Sequence, residues 1–330
     1  MAACAARCAS MVSRRLASGS IQCESQPCWL TKICGRRTFE KIWRPLLRAK
    51  FGDSYGQVSA SFICATIVRY YGARRGGVGR DECGYVGGGY HRILGTLVGK
   101  IEELGVDAVL GARIAAIRRG TAGPIIAFED GSTRAFDRVI VTIAAPIAAR
   151  LCVDLTDDER GRLTSKRYIG IVCVSLLLRG PLGPYYVTNL TDEWVPFSAV
   201  IDMSAVVDRR HFGGNALVYL PKYVAPDDPL FARSDESIVD EFVAALTKMY
   251  PDFSADAIIA ARVSRAPAVF AMTTLGYSRS LPGIATSVPG LYTVNSAQLI
   301  NTTLVVDETL GLADRALEAV AAHDAAAATP

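Results

Sequence analysis

The sequence is short of several things, and each shortage removes a class of function. No two of its nine cysteines (4, 8, 23, 28, 34, 64, 83, 152 and 173) form a C-x-x-C pair. An odd number at irregular spacing makes neither a disulfide framework nor a zinc site. Histidine is scarce: His91, His211 and His323 lie too far apart in sequence to suggest a shared metal. No G-x-S-x-G nucleophile elbow occurs. Asp157-Asp158 and Asp227-Asp228 read as helix-start and turn acids, not as facing catalytic carboxylates, so no catalytic residue is assigned. Charge is also low, at 21% of residues, and residues 280–306 carry none. Pro282, Pro289 and several glycines break that stretch, so it is no membrane span. An uncharged, polar-rich run of this kind suits a ligand wall or a buried junction.

What is present is apolar. Half the residues are hydrophobic and the mean hydropathy is +0.24, enough for a large core in about two domains. Acidic residues are absent from positions 1–20, and residues 1–50 hold ten Lys/Arg against two Glu. The first twenty weakly resemble an organelle transit peptide; the preferred reading is an unstructured or atypical start over 1–28. The basic head shows no aromatic-interleaved binding pattern, so no nucleic-acid partner is expected. Cys152 and Cys173 lie in apolar runs and read as small core residues. A cytoplasmic protein is expected, with peripheral membrane association as the variant the basic head permits.

Residues 29–71 have a helical pattern, with Pro45 inside it, and 59–71 form a second apolar helix. A basic glycine-rich connector follows at 72–79. The centre of the chain is 84–146. Gly87 to Gly89 open a helix whose Ile93, Leu94, Leu97, Val98, Ile101 and Leu104 share one face, and Gly105 stops it. Strands are expected at 106–110, around Ile114 and Ile117, at 125–129 and at 133–136, with an Asp130-Gly131 hairpin turn between the last two. Residues 139–143 read as a strand buried on both faces. Further on, Thr156 and Glu159 have capping-box spacing. Residues 168–178 are eleven uncharged residues suited to a central strand. Strand-like pieces follow at 185–188, 197–202 and 216–221, and an amphipathic helix at 237–250. Residues 257–263 and 268–272 each read as a strand or helix end. A strand at 291–295 and a helix at 304–320 close the chain.

The order of helix, strand, meander and buried strand ending in Ala144-Ala145-Pro146 resembles the second part of the FAD-binding domain of flavin amine oxidases, protoporphyrinogen oxidases and phytoene desaturases. Gly290-Leu291-Tyr292 resembles the closing segment of that superfamily, and the resemblance runs from about residue 43 to 320. It implies an α/β protein: a doubly wound, Rossmann-like FAD/NAD(P)-binding sheet with a β-meander, plus an α+β substrate domain on a mixed sheet. The implied division is a helical part of the substrate domain at 29–83, the FAD-binding domain at 84–150, the substrate domain at 151–280, and a returning FAD-domain strand and helix at 281–330. The implied reaction is hydride transfer from a C–N or C–C bond to FAD. The substrate would be a small molecule: an amine, a porphyrinogen, a polyene or a nucleotide sugar. Cofactor contacts implied by position are Ile114 on the adenine, Pro146 at the strand end, Asn295 where relatives have Gly, Ser296 where many have Asp, and Asn301, Thr302 and Thr303 at a helix start aimed at the flavin. Tyr277, Arg279 and Tyr292 are expected on the substrate side.

One part of the pattern is missing. The diphosphate of a dinucleotide needs a G-x-G-x-x-G turn between a strand and a helix. Gly77-Val78-Gly79 has Glu82 in the third position, and Gly87-Gly88-Gly89 has Arg92 there. In a sheet of order 3-2-1-4-5 the retained strands would be the third (106–110), fourth (139–143) and fifth (291–295). The chain therefore reads as a family member without its opening βαβ unit. Exposed strand edges, low stability, self-association or a partner chain completing the sheet are expected. The rival reading is a non-catalytic remnant or a binding subunit of a split flavoprotein.

Overall fold

A computed structural model describes residues 24–72, 84–300 and 305–327. Its largest core lies in a five-stranded antiparallel sheet of order β6-β7-β8-β5-β9. These strands are β5 (Tyr168–Leu178), β6 (Val187–Asn189), β7 (Ala199–Asp202), β8 (Ala216–Val224) and β9 (Ile258–Ala271). The uncharged run at 168–178 is the strand between β8 and β9, as expected. Strand alternation sends Val172, Val174, Leu176 and Leu178 to one face. There they meet Ile238, Phe242 and Leu246 of a helix, Asp235–Met249, and all seven are fully buried.

The two pieces expected at 257–263 and 268–272 are one fourteen-residue strand. Pro267 misleads the sequence reading because proline breaks most strands. β9 is a sheet edge, where a missing N–H is tolerated. The register also shifts, from Ile171 opposite Ala266 to Ile169 opposite Phe270, which leaves an irregularity beside Gly170. A Cβ on Gly170 would stand 2.6 Å from the Phe231 ring and 3.1 Å from the Ala266 carbonyl oxygen.

The other face of the sheet is partly covered by helices α1 (Gln26–Cys34), α2 (Arg44–Phe51) and α3 (Ala60–Gly72). Trp29, Leu30, Phe51, Phe62 and Cys64 form a second core with Ile169 and Met272. Order begins before residue 29: Ser25 bridges Ser59, and the Gln26 N–H donates to the Val58 carbonyl at 3.0 Å. Most of the glycine-rich connector, from residue 73, lies outside the described residues.

The central stretch supplies α4 (Gly89–Glu103), the antiparallel meander β1 (Ile114–Arg118), β2 (Ile125–Phe128) and β3 (Thr133–Ala135), and strand β4 (Val139–Val141). Asp130-Gly131 makes the expected turn, with Gly131 at φ +85. β4 pairs in parallel with β10 (Leu291–Thr293), the adjacency expected of the fourth and fifth strands. Two expectations fail here. Residues 106–110 form no strand, and Leu110 is 93% exposed. Extended backbone without a neighbouring ladder cannot satisfy its amides in a sheet. The strand at 139–143 is buried on one face only: Val139 and Val141 are buried, while Ile140 and Ile143 are exposed. Among the described residues β4 has β10 as its one partner strand. The same gap leaves α4 uncovered. Its apolar stripe is there as read, but Leu94, Leu97 and Leu104 are exposed.

Two helices join the halves, α5 (Ala145–Leu151) and α6 (Asp157–Thr164). Thr156 and Glu159 form the expected capping box. Glu159 does more. Its Oε1 accepts from the Ser287 N–H and its Oε2 from the Ser287 hydroxyl at 2.7 Å, which ties α6 to the loop before β10. Burial opposes its ionisation, but the hydrogen bonds from Ser287 and Thr156 outweigh it and hold the carboxyl below the usual range. Glu159→Ala should cost about 1–2 kcal/mol in urea denaturation. The folded-state value is the lower one, so this contribution is complete above about pH 4.3 and fades as pH falls through the folded value. The gap between wild type and variant should close on acidification; a constant gap down to acid pH would contradict this assignment.

Candidate functional site

In open α/β sheets, ligands bind outside the carboxyl ends of parallel strands. Here β4 and β10 end side by side. The ladder is extended by the Val294 N–H donating to the Val141 carbonyl at 2.9 Å. Beyond β4 the chain enters α5, with Pro146 in its first turn, where a missing N–H costs nothing. Beyond β10 it enters a tight turn held by reciprocal bonds. The Asn295 N–H donates to Gln298 Oε1 at 2.7 Å, and Asn295 Oδ1 accepts from the Ala297 N–H at 3.1 Å. Gln298 Nε2 donates to the Thr293 carbonyl at 3.0 Å. The remaining atom, Asn295 Nδ2, is buried and has no hydrogen-bond partner. An orphaned buried donor costs about 1–3 kcal/mol, so it marks a place where a ligand acceptor fits.

The substrate sheet reaches this turn through Tyr168, the first residue of β5. Its hydroxyl accepts from the Ala145 N–H at 3.1 Å, and the Ser296 side chain lies near enough to favour its ionised form. The phenol is thus tied to the chain beyond β4 and stands beside the turn beyond β10. Burial pushes it up, and the Tyr277 phenol further. The Tyr277 hydroxyl donates to the Ala297 carbonyl at 2.7 Å, and Lys166 Nζ lies 4.4 Å from the centre of its ring. Lys166 is 4% exposed and donates to Ser280 Oγ at 2.7 Å. No carboxylate pairs with it among the described residues. Burial, and then the Arg162 charge, lowers it to about 8.

The structure thus brings Pro146, Asn295 and Ser296 to one place. Ile114 stands apart on β1, half-buried opposite Phe128. Asn301, Thr302 and Thr303 lie outside the described residues. The expected substrate-side residues do not share a cavity: Tyr277 and Tyr292 are buried in the packing and Arg279 is exposed. The open space is elsewhere. A cavity of about 570 Å³ lies between α2, α3 and the five-stranded sheet, lined by Trp43, Phe62, Ile169, Tyr223 and Phe270 among others. Tyr168 and Lys166 carry no signal of a site in the sequence. They stand at the start of an apolar run whose strand character was plain, while the turn they meet lies far away in sequence.

The ring end of a flavin fits the β4–β10 turn: a spare buried amide donor, a half-buried hydroxyl on Ser296, and a strand-end location. The diphosphate end finds no counterpart among the described residues. Gly88 and Gly89 have positive φ and begin α4, but the described residues just ahead, 84–87, form no strand, and Gly87 lies against His211. No group of side chains that could hold a metal occurs among the described residues, and none of their helices is long and apolar enough to cross a membrane. His91 and His211 are exposed. Burial raises Cys152 and Cys173 to about 11, as expected of inert core thiols.

The family described as flavin containing amine oxidoreductase matches residues 28–294. No curated protein matches the chain. Solved structures do. One is assigned as a protoporphyrinogen oxidase, from Exiguobacterium, with a TM-score of 0.63 at 16% identity over 88% of this chain and 66% of that one. A putrescine oxidase variant redesigned for cofactor binding gives 0.65 at 15% identity, covering 92% and 69%. Reduced UDP-galactopyranose mutase gives 0.59 at 14% identity, covering 83% and 61%. The chain thus spans about two thirds of the length of the solved structures it matches, and at these identities the likeness is one of fold.

Proposed function

Since the chain belongs to the flavin containing amine oxidoreductase family, we propose that it is an FAD-dependent oxidoreductase that grips the flavin end of its cofactor where β4 and β10 terminate. The observation that carries this reading is the unpartnered Asn295 Nδ2 on that turn. When bound, the flavin supplies the electron sink for a hydride from a C–N or C–C bond. Asn295 would donate to a carbonyl or hydroxyl of the cofactor. Ser296, half-buried on the same turn, would offer a second polar contact. Asn301, Thr302 and Thr303 would add donors ahead of the last helix, Val306–Ala327, and Ile114 an apolar wall on the adenine side. The substrate would occupy the 570 Å³ cavity instead of the space around Tyr277, Arg279 and Tyr292. Tyr168 and Tyr277 then act as positioning residues, with phenols held neutral by burial.

The test compares riboflavin with FAD by fluorescence quenching on the purified chain. If the ring end is what this chain holds, the two should bind with similar affinity. Asn295→Ala should weaken both about tenfold, the loss of one buried hydrogen bond. No flavin binding, or an unchanged Asn295→Ala, would overturn the proposal.

A second reading is favoured by the uncovered stripe of α4 and the free edge of β4. In it the chain is one half of a split flavoprotein and binds a second chain there. A folded protein that takes up no flavin alone, yet forms larger species with rising concentration, would select this reading.

A further inference from the structure

α4 contributes to none of the hydrophobic cores, and none of its fifteen residues is buried. Its apolar residues are nevertheless ordered. Tyr90, Leu94, Leu97, Ile101 and Leu104, the last just past the helix end, recur at steps of four, three, four and three. That is the spacing of a seam between two helices, and Ile93 and Val98 widen it on its two sides. A helix laid against its own protein hides such a stripe. Here Leu97, at the centre, is 53% exposed.

Two features of the stripe say what covers it. It reads alike from both ends: Tyr90 and Leu104 lie seven residues on either side of Leu97, and Ile93 and Ile101 four. Such a stripe matches its own copy across a two-fold axis, where residue i meets j and j meets i. The charges give the direction. Arg92 stands in the first turn and Glu102 and Glu103 close the helix, each at the end where the helix dipole disfavours its sign. Lys100 offsets Glu103, with Nζ at 2.6 Å, and leaves Glu102. An antiparallel neighbour sets the opposite end of a second helix beside each.

We propose that α4 is a dimerisation helix. Two copies of the chain pair antiparallel along this stripe, with Leu97 on the two-fold axis. The seam is short, well under a standard interface of about 1,600 Å², so the dimer is reversible. Sedimentation of the full chain without flavin should show one chain at about 0.1 μM and two at about 100 μM. Mass alone does not say which residues meet, so charge variants of exposed positions carry the test. Leu97→Glu and Leu97→Lys introduce good helix formers. Each alone should stay monomeric at the higher concentration, because like charges face across the axis. An equimolar mixture of the two should dimerise again. The double variant Tyr90→Glu, Leu104→Lys reads the direction. Opposite charges meet in an antiparallel pair and like charges in a parallel one, so this variant should still dimerise. A wild type that is monomeric at every concentration, a dimer untouched by Leu97→Glu, a mixture that fails to pair, or a double variant that falls apart would each overturn the proposal.

Discussion

Gly290→Ala should lower the unfolding free energy by about 3 kcal/mol and abolish riboflavin binding. Gly290 has φ +76, a region where a Cβ costs about 1–2 kcal/mol. The added atom would also stand 2.5 Å from the Asp137 carbonyl oxygen and 3.0 Å from the Pro124 ring. Backbone cannot swing aside as a side chain does, and overpacking of this kind costs about 1–3 kcal/mol more. Relief requires the two chains to part, and the Val139 N–H bonds the Gly290 carbonyl at 2.9 Å to open the β4–β10 ladder. The turn carrying Asn295 follows directly from that ladder. Urea denaturation gives the stability term and the quenching titration the binding term. A loss under about 1 kcal/mol with binding intact would show that the ladder does not place the turn.

The second expectation has the opposite sign. Lys166→Met should stabilise the protein at pH 7 by about 2–3 kcal/mol. The ammonium is buried without a carboxylate, and replacing an uncompensated buried charge with an apolar chain of similar length is often favourable. Its folded value, lowered to about 8, lies below the unfolded value of about 10.4. Between those limits the unfolded chain holds more protons, so wild-type stability should rise as pH climbs from about 8 to about 10. Lys166→Met should lack that rise. The ring of Tyr277 offsets part of the burial cost, which is why the gain is set at or below the pKa difference converted at about 1.4 kcal/mol per unit. A variant less stable than wild type, or a wild type flat across that range, would mean that the charge is better solvated than its exposure suggests.

What could be read in advance was local. The 168–178 run, the Thr156–Glu159 box and the Asp130-Gly131 turn each have their cause within a few residues, and each is in place. Burial of a strand depends on neighbours, and residues 106–110 and Ile140 show the limit. Their apolar character is that of an inner strand, but among the described residues 106–110 meet no ladder, and Ile140, though paired with Tyr292 of β10, is left exposed. Pro267 shows the converse, a strand breaker made harmless by an edge position that no local pattern reveals. Asn295 and Ser296 were expected at the site through the resemblance, and the structure sets them on the turn after β10. Tyr168 gave no such signal, because its partner Ala145 lies 23 positions away.

Ile169 lines the large cavity, while its predecessor on β5 is tied to the chain beyond β4 through its hydroxyl and stands beside the turn beyond β10. Successive side chains of a strand point to opposite faces, so the turn after β10 and the cavity lie on two sides of one peptide unit that rises about 3.3 Å along the strand. The helical wall of the cavity, with Trp43 and Phe62, can therefore exchange residues while the turn on the other side keeps its support.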